Sequence, residues 1–131
     1  MKRLAIISLL AMASPVLALQ PLSQVKAIND GLRAVMIADQ VRIVCPAIEA
    51  RMIAGWSFVR SLEREARKLG YSAEEIEDFV ESKSERKRLE GEAAAYMRAN
   101  GVKAGQPETY CALGHAEIAK GSQIGALLRA K

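Results

Sequence analysis

The sequence predicts an all-α protein, a compact bundle of about five helices braced by one disulfide. Three observations carry that prediction. Apolar residues recur at three- and four-residue spacing, with no sustained alternation of the kind a strand needs. Capping residues and helix stops fall where that periodicity begins and ends. The chain also holds two cysteines, Cys45 and Cys111, each on or beside an apolar helical face.

The first 18 residues read as an export signal. Lys2 and Arg3 form a basic end, residues 4–13 a short apolar run, and Ser14-Pro15 break it. Val16 and Ala18 supply the small-residue pattern for cleavage after Ala18. The run is about half of the ~20 residues that cross a bilayer, so an uncleaved amphipathic anchor is the competing reading. The whole chain has 19 Lys and Arg against 15 Asp and Glu, a net charge of +4. Losing Lys2 and Arg3 leaves 17 against 15, a net of +2. So weak and mixed a balance, on an exported chain, points away from nucleic acid, whose binders concentrate a basic face. Residues 19–131 suit a single small helical domain.

Asn29 predicts an N-cap for a helix over 30–44, with Leu32, Val35, Met36, Val41, Ile43 and Val44 on its apolar face. Pro46 interrupts it and suits the first turn of a second helix, which the pattern carries to Leu69. Ile48, Met52, Trp56, Val59, Ala66 and Leu69 fall close to one stripe, and Gly70 can end the helix in the left-handed conformation. Ser72 and Glu75 form a capping box for a third helix that buries Ile76, Phe79 and Val80. The next apolar set begins at Leu89. Nine residues separate it from Val80, about 900° of rotation, which puts the two sets on opposite sides of a straight helix. A break at 82–84, with Ser82 and Glu85 capping the restart, resolves the conflict. Asn100 and Gly101 close that helix. Pro107 starts another, bearing Tyr110, Cys111, Gly114 and Ile118, and Gly121 stops it. Ser122 caps a last short helix with Ile124, Leu127 and Leu128.

Cys111 and the single histidine, His115, stand four residues apart, on one face of a helix. That spacing could serve a metal site or an activated thiol. A zinc site takes three or four protein ligands, and the chain offers one histidine, two cysteines and no C-x-x-C. A Cys–His nucleophile pair lacks an identifiable orienting group. A structural disulfide between Cys45 and Cys111 fits an oxidising compartment better, against an intermolecular disulfide or free thiols. The run 81–92, ESKSERKRLEGE, interleaves opposite signs at i,i+3 and i,i+4, as a solvated helix face does. Trp56 and Met36, Met52 and Met97 read as core. There is no Gly-rich phosphate loop, haem attachment motif or Ser-His-Asp set. The sequence therefore predicts no catalytic, cofactor-binding or metal-binding residue, and no enzyme.

The ordered set INDGL at 28–32, CP at 45–46, LGYSAEEIEDFVESK at 69–83, YCALG at 110–114 and GSQIGALLRAK at 121–131 resembles a family of small exported bacterial proteins known as a domain of unknown function. The resemblance implies a gene neighbourhood within respiratory complex I, the NADH:ubiquinone oxidoreductase. It also implies an accessory role on the periplasmic face of that complex. An iron–sulfur subunit normally takes four cysteine ligands per cluster, so two cysteines do not supply one. The expected partner is a protein, with peripheral membrane association also open and the oligomeric state not fixed by the sequence. The alternative is a free periplasmic chaperone or stress-response binding protein.

Overall fold

A computed structural model of the chain describes residues 19–131. The predicted export signal lies outside the described residues. A 3₁₀ turn, Leu22–Gln24, leads into α1, Lys26–Val44. Then follow β1 (Ile48–Ala50), α2 (Met52–Lys68), α3 (Ala73–Glu81) and α4 (Lys83–Ala99). The chain continues through α5 (Pro107–Lys120), α6 (Gln123–Ala126) and β2 (Leu128–Ala130). The fold is all-α apart from one two-stranded sheet, and Cys45 and Cys111 form a disulfide with Cα atoms 5.1 Å apart.

The local signals act as their chemistry requires. Ser72 and Glu75 exchange both hydrogen bonds of a capping box at the start of α3. The Ser82 hydroxyl accepts from the Glu85 amide, so α3 and α4 are separate helices and their apolar faces need not align. Pro107 opens α5, and Gly121 closes it at φ 63°. Gly70, at φ 102°, ends the turn after α2.

Elsewhere tertiary contacts override the local reading. α1 starts three residues before Asn29, which is buried inside its first turn and is no cap. The Asn29 amide donates to the Leu22 and Val25 carbonyls at 2.7 and 2.8 Å, and its oxygen accepts from Arg88 of α4 at 2.6 Å. Arg88 in turn bonds Glu85 and Glu92. One residue of the interleaved charge run is therefore a partly buried clasp between α1 and α4 rather than part of a solvated face.

The second helix does not start at Pro46. Residues 48–50 form β1, antiparallel to β2, with Ile48 opposite Ala130, Glu49 opposite Arg129 and Ala50 opposite Leu128. Three-residue strands carry no readable alternation, and this pair joins segments 80 residues apart. The Arg51 amide extends the joint to the Leu127 carbonyl, 2.8 Å away. Ser122 does cap α6, but that helix ends at Ala126 and Leu128 belongs to the sheet.

Two apolar clusters result. The larger packs Ile37, Val41, Cys45 and Ile48 against Ala93 and Met97 of α4, Leu113 of α5, and Ile124, Leu127 and Leu128. The smaller gathers Leu22, Val25, Ile28, Ala66 and Tyr71, with Leu32, Leu62, Ile76 and Phe79 packed on it. Ile76 and Phe79 are half-buried and Val80 is exposed, so α3 is a cover and not a core helix.

Candidate functional site

The two predicted cysteine sites resolve into one structural bond. Cys45, the C-cap of α1, is fully buried, and its sulfur is joined to that of Cys111 on α5. His115 is exposed one turn further along α5. Neither sulfur is a free thiol, so the Cys111–His115 pairing offers no resting nucleophile. Among the described residues, no group of three or more His, Cys, Asp or Glu side chains could hold a metal ion.

Glu117, which belongs to no motif in the sequence, is 1% exposed. Its carboxylate accepts from the Tyr96 hydroxyl at 2.6 Å, from Lys120 at 3.0 Å, and from the Ser122 hydroxyl. Burial alone would push its carboxyl up. Hydrogen bonds from Ser122, Tyr96 and Lys120, with the Lys120 charge, outweigh burial and hold Glu117 below the ordinary carboxylate range. The Glu117 hydrogen bond and burial push the Tyr96 phenol up. A cleft of about 400 Å³ adjoins this cluster, lined by Asn100, Glu108, Thr109 and Lys120 among others. A buried carboxylate with three donors ties α4 and α5 to the start of α6 as a structural anion. The sequence signal was faint: one acid at 117 amid the apolar positions of α5.

The sign of the pH dependence follows from the lowered pKa. Glu117 binds its proton less readily folded than unfolded. Its stabilisation is complete above the unfolded carboxyl value of about 4.3 and is lost as pH falls through the lower folded value. Glu117→Gln is expected to cost about 2 kcal/mol at pH 7. The difference from the unsubstituted protein should shrink towards pH 3 in urea titrations. A difference constant with pH would refute the buried-anion assignment.

The prominent surface feature is on α2. The expected stripe of Met52, Trp56, Val59 and Leu69 does not face the core. Trp56 is 64% exposed, Met52 61% and Ile53 87%. Phe58, Leu62 and Ala66, at i, i+4 and i+8, point inward instead. Trp56 and Phe58 stand two residues, about 200°, apart, so both cannot face the core. Gly31 of α1 decides between them. A Cβ at Gly31 would lie 2.5 Å from Leu62 Cδ2, so the bare glycine leaves a hollow that Leu62 fills. The Arg51–Leu127 joint holds the start of α2, and Trp56 turns outward. A second apolar line through Phe58, Leu62 and Ala66 was the signal available in the sequence. Of the methionines read as core, Met97 is buried and Met36 half-buried, while Met52 is not.

The outward residues border a groove of about 540 Å³ between α2 and α1. Val35, Ala38, Gly55 and Leu127 line it beside Met52 and Trp56, with Arg42, Arg51 and Arg60 at its edges. The Arg60 guanidinium lies over the Trp56 ring, 5.8 Å from its centroid, within the range of a cation–π contact. An apolar patch rimmed by polar groups marks a binding surface. No described helix is long and apolar enough to cross a membrane.

No curated protein and no solved structure matches this chain. Residues 20–129 match a family of unknown function, DUF5333, and the chain belongs to that family.

Proposed function

We propose that this protein is a non-catalytic accessory protein, exported and cleaved after Ala18, that docks on the periplasmic face of respiratory complex I. The observation that carries the docking role is the exposed apolar groove around Trp56. Both cysteines are committed to a structural bond, which suits an oxidising compartment and leaves no thiol for chemistry. The family resemblance supplies the choice of complex. Membranes solubilised in mild detergent, with the complex isolated through another subunit, should retain this chain at low salt, its amino terminus beginning at Leu19. Absence of the chain at every salt concentration overturns the assignment.

The exposure of Ile43, Ile53 and Trp56 also favours a second reading, a free periplasmic chaperone that shields apolar segments of unfolded clients. Light scattering from aggregating clients across pH tests it, and no protection at any pH removes it.

A further inference from the structure

The geometry points to one kind of occupant for the α2 groove: an amphipathic helix of another protein, apolar on the face that enters the groove and acidic where it meets Arg51 and Arg60. This rests on the docking role above and names the chemistry of the partner segment.

Charge selects the acid. Of the three groove arginines, Arg42 is paired with Asp39 on its own helix at 2.6 Å. Among the described residues, Arg51 and Arg60 form no ion pair. Arg51 bonds the Ala126 carbonyl at 3.1 Å, and Arg60 lies over Trp56. Glu63 is the remaining acid at the groove. Beyond it Arg64, Arg67 and Lys68 extend the positive side of α2 against Glu65. Arg51 caps the start of α2, Arg60 lies within that helix, and both line the groove. Acids along one flank of a partner helix lying in the groove meet both.

Shape selects the helix. Val35, Ala38 and Leu127 line a concave floor. A flat bilayer surface does not reach such a floor, whereas a helix about 10 Å across lies along it. A second copy of this chain could offer α3, which presents Glu74, Glu77, Asp78 and Glu81. Its Ile76 and Phe79 already pack inward, and Val80 alone would leave the floor unfilled.

Trp56 is the chain's single tryptophan, so its fluorescence reports on this groove alone. Residues 19–131 with the disulfide intact would be titrated with an 18-residue helical peptide carrying leucines at i, i+3, i+4 and i+7 and glutamates on one flank. A matched peptide with lysines in place of the glutamates, and phosphatidylglycerol–phosphatidylcholine vesicles, complete the set. The expected result is a blue shift with the glutamate peptide, at least tenfold tighter than with the lysine peptide and weakened by salt. Arg51→Glu/Arg60→Glu should reverse that preference. Arg60→Glu alone, which keeps the Arg51 bond to Ala126, should reduce it. Equal binding of the two peptides, a shift on vesicles with none on the glutamate peptide, a shift with protein concentration alone, or no shift at all overturns the proposal. If the peptides fail while the chain still co-purifies with complex I, the docking role stands and the acidic helix does not.

Discussion

Replacing Cys45 and Cys111 together by alanine is expected to lower stability by about 4 kcal/mol. The bond closes a loop of 66 residues, and the chain-entropy relation gives about that value for such a loop. A typical domain is stable by only about 5–15 kcal/mol, so most of the margin goes with the bond. The melting temperature should fall by roughly 20 °C in calorimetry. The double replacement leaves no free thiol and removes little volume. Cys45 lies at the centre of the larger cluster, between the end of α1 and the strand that follows it. Its loss therefore frees the approach of β1 to α5 as well as the unfolded chain. A fall below about 1 kcal/mol would mean that helix packing alone holds these segments.

The second large effect is expected at Gly125. A Cβ there would lie 2.0 Å from the Glu117 carbonyl oxygen and 2.7 Å from the Ile118 nitrogen. These are backbone atoms of α5 and cannot rotate away. Gly125→Ala must lift α6 off α5 and loosen Ile124 and Leu127, at a cost of about 3 kcal/mol. Gly114→Ala meets side chains instead, Ile48 Cδ1 at 2.4 Å and Val41 Cγ1 at 2.7 Å, and should cost less because they can shift. Gly91→Ala is the control. It lies within α4 with nothing inside 4 Å of the added carbon, and should stabilise by up to about 1 kcal/mol. Urea midpoints of the three variants give the order. Gly125→Ala behaving like Gly91→Ala would refute the close approach of α6 to α5.

The features legible in the sequence are those whose cause is local. Ser72 with Glu75, Ser82, Pro107 and Gly121 set helix ends through atoms within a turn of themselves. The disulfide was legible because a chain with two cysteines has one internal pairing and its first residues read as an export signal. The features that escaped depend on residues far along the chain. Asn29 reads as a cap until Arg88, 59 residues away, supplies its partner. Ile48 reads as helical until Ala130 pairs with it. The candidate surface was concealed in the same way. Met52, Trp56 and Val59 form as good an apolar stripe as Phe58, Leu62 and Ala66, and Gly31 of another helix makes the choice. Glu117 carries no mark beyond its place among apolar neighbours.

The two apolar clusters differ in how much chain must exist before each can close. The smaller draws only on residues between Leu22 and Phe79, so a polypeptide emerging amino end first can gather it while later segments are still being delivered. The larger stays roofless until Leu127 and Leu128 arrive, and only then can β1 find β2. Until that moment β1 lacks its partner strand, so the order of arrival makes the interval before residue 128 the stage most open to proteolysis.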